Sequence, residues 1–254
     1  MATAWPQALE RAERLVRVAA PELWDVPIYL VPQTETPFAE SKMHGFTSPS
    51  CDLLLREGLG NRYRGRGLGI VLNTAAFERE RGDQDLQADF AAAVAVHEAG
   101  HALAEGWATA DREETDATYQ EHIHRVIPQA AAKMATLEEY VPAVAKKERL
   151  HHGPDWLRVV LHMRRRVLAV AGVYLFAMSI VGPRPMTPPC FFEDALGDEP
   201  ERLARLPLAE VLKLDPPAEF TRLWDADTRS LEAEWAAEAQ QQAITPAPEL
   251  KPNE

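Results

Sequence analysis

Asp85-Leu86-Gln87-Ala88-Asp89-Phe90-Ala91-Ala92-Ala93-Val94-Ala95-Val96-His97-Glu98-Ala99-Gly100-His101 opens with twelve residues rich in strong helix formers and free of glycine and proline, and predicts one long helix. Asp83, Asp85 and Asp89 cluster near its expected start, where they complement the helix dipole. Leu86, Phe90 and Val94 recur every four residues and predict a buried apolar face. The stretch closes on His-Glu-x-x-His, and helical geometry decides what that pattern can do. Residues four apart share a face and lie about 6 Å apart along the axis. The imidazoles of His97 and His101 can therefore converge on one zinc ion at roughly 2.0–2.1 Å, with Glu98 beside them as a general base. The competing reading, two half-buried histidines flanking a solvated glutamate, is disfavoured by the glutamate between them and by the small Ala99 and Gly100.

Such a site needs a third protein ligand, with the fourth position left for water or substrate. The extended HExxHxxGxxH pattern would require Gly at 104 and His at 107, where the chain has Ala104 and Trp107, so the ligand must come from further away. Candidates are His122 and His124, the carboxylates of Glu113, Glu114, Asp116 and Glu121, and the pair His151-His152 in His151-His152-Gly153-Pro154-Asp155-Trp156. In that last segment Gly153 and Pro154 favour a fixed turn or helix start, and Trp156 can anchor the turn in the core. Tyr119, Tyr140 and His151 are the side chains that could approach the site as oxyanion stabilisers.

The HExxH helix, the upstream extended segment Gly69-Ile70-Val71-Leu72-Asn73 and the later His152-Gly153-Pro154-Asp155-Trp156 together resemble the SprT-like/Spartan zinc metalloproteases. In that family an HGxxF or HGPEF segment supplies the third histidine. The resemblance implies zinc held by His97, His101 and His152, Glu98 as the catalytic base, and peptide-bond hydrolysis. The chain departs from the family in having Asp155 for Glu, Trp156 for Phe, and a longer interval between His101 and His152, expected to hold an inserted helical hairpin. His151 stays open as the ligand if the turn is offset by one residue. The string HEAGHA also resembles the protease domain of FtsH-type membrane proteases, over the helix alone. No G-x-x-x-x-G-K-[ST] loop accompanies it, which argues against an attached ATPase.

The expected architecture is α+β and helix-rich: a zincin-like metalloprotease domain with a small sheet packed on the HExxH helix. Helices are expected over 8–20, 84–109, 113–127, 129–149 and 155–181, with strands at 28–31 and 68–73 around a Gly/Arg-rich turn from Gly58 to Gly67. The domain is expected to span 1–189, with a helical insertion over about 111–150. Gly182 to Pro189 reads as a rigid linker, 190–242 as an acidic helical region and 243–254 as a disordered tail. Leu68 to Asn73 is a candidate sheet edge for pairing an extended substrate, or else an ordinary core strand. Val167 to Val181 is nearly all apolar but only 15 residues long, below the roughly 20 needed to span a bilayer. It therefore reads as a buried helix beneath the zinc helix, with His162 a core or boundary histidine.

The chain has 254 residues, 46% of them hydrophobic, and a net charge of −12, enough to bury a core without an outside scaffold. Its two cysteines, Cys51 and Cys190, form no CxxC pair, so neither a disulfide framework nor a cysteine zinc ribbon is expected. That pattern, with an amphipathic N-terminal segment lacking a signal-peptide run, points to the cytoplasm. Residues 190–254 carry 15 acidic and 6 basic residues, net −9, leaving −3 for residues 1–189. Residues 146–166 hold seven basic residues (Lys146, Lys147, Arg149, Arg158, Arg164, Arg165, Arg166) against Glu148 and Asp155, net +5. This run could contact phosphates, and the acidic C-terminal region could cover it in cis, but a solvated helix face is favoured and a nucleic-acid partner is not. The expected partner is a protein or peptide substrate. Two other readings stand beside the enzyme: a catalytically inactive, zinc-stabilised binding or regulatory protein, and a membrane-associated FtsH-like peptidase.

Overall fold

The computed structural model describes residues 5–36, 44–48, 51–80, 83–104, 106, 154–175 and 204–213, and single positions 222, 225, 229, 233, 236, 237 and 240. The expected helices at 113–127 and 129–149, the linker at 182–189 and the tail at 243–254 lie outside the described residues. Within them the protein is helix-rich α+β, with a small three-stranded sheet.

Helix α1 (Trp5–Ala19) leads through a 3₁₀ turn to strand β1 (Ile28–Pro32). Strand β2 (Gly45–Thr47) and the short helices α2 (Cys51–Leu54) and α3 (Arg56–Leu59) precede β3 (Leu68–Leu72). Then come α4 (Thr74–Glu80), the long α5 (Gln84–Ala104), α6 (Pro154–Ala171) and α7 (Leu208–Val211). The strand order is β1-β3-β2. β1 runs parallel to β3 with Ile28 opposite Leu68, and β2 runs antiparallel to it with Gly45 opposite Leu72.

Because side chains alternate along a strand, β3 serves two cores. Leu68, Ile70 and Leu72 join Ile28 in the larger core with α1, α5 and α6, while Val71, Tyr29 and Val31 pack with Cys51, Leu55 and Leu59 on the other face. A strand buried on both faces and paired on both sides is not an edge. Leu68 to Asn73 is thus the centre of the sheet, and the substrate-edge expectation for it does not hold. The edge strand beside α5 is β2.

α5 starts on Asp83, whose Oδ1 accepts the backbone N–H groups of Asp85 (2.8 Å) and Leu86 (3.2 Å), so this member of the acidic cluster caps the helix. Asp89 instead pairs with Arg11 of α1 at 2.6 Å. Of the expected apolar face, Val94 is buried and Phe90 packs against the core, whereas Leu86 is 57% exposed. From Ala91 to Val96 every residue is buried, because α1, α4, α6 and the sheet surround the helix. α5 ends at Ala104 rather than 109, with Gly106 beyond it at φ +73°.

α6 ends at Ala171, not 181, where Gly172 adopts φ +66°, a left-handed conformation that favours glycine. Val167 is buried, but Leu168 and Val170 are exposed, so the apolar run is not buried from end to end. No described helix is long and apolar enough to cross a membrane. Arg164 and Arg166 are buried, which overturns the reading of these two as part of a solvated or phosphate-binding face. Arg164 Nε donates to the Leu175 carbonyl at 2.6 Å, and its guanidinium lies over the Tyr174 ring. Arg166 forms a two-pronged pair with Glu22 (2.8 Å and 2.8 Å) and donates to the carbonyls of Ala19 (3.2 Å) and Leu206 (3.1 Å). One arginine so ties α1, α6 and the segment leading into α7 together, and Val211 of α7 is buried.

Burial alone would raise the Glu22 carboxyl, but the hydrogen bonds and charge of Arg166 outweigh it and hold the pKa below the usual value. His162, 1% exposed, is pushed down to about 4 by burial, with the Arg166 charge adding to the shift and the Glu22 charge opposing it. The unfolded chain then binds a proton that the fold excludes, so stability is full above the ordinary histidine value of 6.5 and falls as pH drops towards 4. The loss amounts to about 3 kcal/mol over that window. Urea unfolding at pH 7 and pH 4.5 is expected to show this loss in the parent and a smaller one in His162→Leu. Arg166→Ala should cost about 3 kcal/mol at pH 7 by stranding Glu22 and two carbonyls.

Candidate metal centre

His97 and His101 occupy successive turns of α5 and are both half-buried, while Glu98 is 6% exposed. The two Nε2 atoms stand 3.3 Å apart. Two nitrogens bound tetrahedrally to zinc at roughly 2.0–2.1 Å would be separated by about 3.3–3.4 Å, so the pair already has the spacing a shared ion requires. In the metal-free protein the same spacing accommodates a hydrogen bond in which one ring's N–H donates to the other ring's lone pair.

The α6 side of the motif is built by an indole. Trp156, 4% exposed, stacks on His101 (centroids 5.2 Å, 25°) and meets His97 edge-on (4.8 Å, 65°). Gly100 makes that approach feasible. A Cβ there would lie 2.3 Å from Val160 Cγ2 and 3.5 Å from Trp156 Nε1. The glycine is therefore the notch through which α6 reaches α5.

The sheet side of the motif is built by Gly45. A Cβ at Gly45 would lie 2.6 Å from Val94 Cγ1 and 3.2 Å from Glu98 Oε1, so the backbone of edge strand β2 rests directly on the carboxylate. Thr47 Oγ1 donates to the Gly69 carbonyl at 2.6 Å and ties the strand to β3. The preceding His44 pairs with Glu80 at 2.9 Å and contacts Phe77 and Phe90. Cys51, on α2, is buried, and its thiol is pushed up by that burial and by the charges of Asp52 and Glu98. It is an inert thiol rather than a nucleophile.

The structure thus brings the His97 and His101 imidazoles together, while the buried carboxylate of Glu98, their neighbour in sequence, faces Gly45 of β2. His151 and His152 lie outside the described residues, as do Glu113, Glu114, Asp116, Tyr119, Glu121, His122, His124 and Tyr140. Among the described residues no group of three or more His, Cys, Asp or Glu side chains could hold a metal. Two site residues escape a reading by sequence: Gly45, and Trp156 in its contact with both imidazoles. The signal for Gly45 is a glycine inside a short Phe/Thr segment, a position that marks close backbone approach. No family model, curated protein or solved structure matches the chain.

Gly100→Ala is expected to destabilise the protein by about 1–3 kcal/mol, as overpacking does. Adding Val160→Ala should recover part of that loss. Thermal unfolding of the two single variants and the double variant measures the coupling.

Proposed function

We propose that the protein is a zinc-dependent metalloendopeptidase of SprT-like type, with a zincin-like arrangement around α5. The observation that carries the reading is the 3.3 Å convergence of the His97 and His101 Nε2 atoms with Glu98 between them in sequence. His97, His101 and His152 would hold the ion. His152 precedes the start of α6 by two residues, and the same helix carries the Trp156 that packs on both described imidazoles, which supports the choice over ligands in the interval before it.

When bound, zinc supplies Lewis acidity towards a water molecule and a scissile carbonyl. The Glu98 carboxylate accepts the proton of the attacking water and returns it to the departing amine nitrogen. β2 is the fitting edge for substrate, since no described strand lies beyond it and its Gly45 touches Glu98. An extended peptide adding to this edge would bring a backbone carbonyl beside the base. The substrate class is therefore protein or peptide in extended conformation, and the cysteine pattern fits a cytoplasmic setting.

Metal analysis of the purified protein is expected to find one zinc per chain, and cleavage of an unfolded protein should be abolished by a chelator. Glu98→Gln should keep the zinc and lose cleavage by at least about 100-fold, the lower range for removing a general base. His152→Ala should lose zinc, and a His152→Ala protein that binds it like the parent would assign the third ligand elsewhere.

A further inference from the structure

We infer that Trp156 is a positioning residue that sets the two described imidazoles in their metal-binding orientation before any ion arrives; the inference rests on the metallopeptidase reading and names a further residue of that site. A histidine on a helix surface has several rotamers open to it. Bringing both Nε2 atoms to 3.3 Å requires His97 and His101 each to hold one orientation at the same time.

Positions 97, 100 and 101 are neighbours on one side of α5, three and four residues apart. Since Gly100 contributes no side chain, the indole lies against the helix at that point and touches the imidazole on either side of it. It contacts one ring by its edge and the other nearly in parallel, both arrangements that aromatic pairs favour. The indole is itself immobilised, being 4% exposed and packed within the larger hydrophobic core. A rigid wall against both rings removes rotamers that would separate the two nitrogens. Ordering that would otherwise oppose metal binding is thereby completed on folding.

Zinc affinity is to be measured by competition with a chromophoric chelator for the parent, Trp156→Leu, Trp156→Phe and Val160→Ala. Leucine fills the core without an aromatic face, and phenylalanine keeps that face. Val160→Ala loosens the same helix contact without touching either ring. Trp156→Leu should bind zinc about 10–100-fold more weakly, the range seen when a residue supporting metal ligands is lost. Trp156→Phe and Val160→Ala should stay within about threefold of the parent. Zinc binding by Trp156→Leu equal to the parent, or equal weakening in Val160→Ala, overturns the inference while leaving the metal reading intact. A parent that binds no zinc overturns both.

A second readout needs no variant. In the metal-free parent, the ring protons of His97 and His101 should be displaced by the indole ring current, and shifts typical of an unstructured chain would overturn the inference.

Discussion

The arrangement depends on the contact between α5 and α6 at Gly100, where Val160 occupies the space a side chain would fill. A helix buried from Ala91 to Val96 must be surrounded, and α6 supplies the side that carries Trp156 to the histidines. Widening that contact by one methyl group would separate the indole from both imidazoles. On the sheet side, Gly45 performs the matching task by letting the β2 backbone rest on Val94 and Glu98. The HExxH motif is thus held between two close approaches, each made at a glycine. The ligand pair faces one and the base faces the other.

Much of this was legible in the sequence where the signal is local. The Ala-rich run without glycine or proline specifies α5, the acidic residue at 83 caps it, and His-Glu-x-x-His on a helix fixes which side chains converge. β1 and β3 could be read from short apolar runs bounded by turn residues. What could not be read depends on tertiary neighbours. β2 is three residues long and exists only because β3 lies beside it. That pairing turns Leu68 to Leu72 from a prospective edge into the centre of the sheet. Leu86 shares the periodicity of Phe90 and Val94 but sits in the first turn of α5, ahead of the buried stretch.

Charged residues misled for a related reason. Arg164-Arg165-Arg166 reads as a solvated cluster, yet Arg166 is inside, where Glu22 and two backbone carbonyls satisfy its fork. A linear pattern does not disclose that a carboxylate 144 residues away neutralises it. The same limit applies to Trp156. Its place in His-Gly-Pro-Asp-Trp suggested an anchor for its own turn, whereas in the fold it also touches histidines 55 and 59 residues earlier. Aromatic size predicts burial, but not which rings it will meet.

The central claim is that His97 and His101 form two-thirds of a histidine zinc site completed by His152. X-ray absorption at the zinc edge of the reconstituted full chain tests it most directly. The account predicts a first shell of nitrogen and oxygen only, at roughly 2.0–2.1 Å, with outer-shell scattering from three imidazoles. A sulfur ligand at about 2.3 Å, or scattering from fewer than three imidazoles, would contradict it.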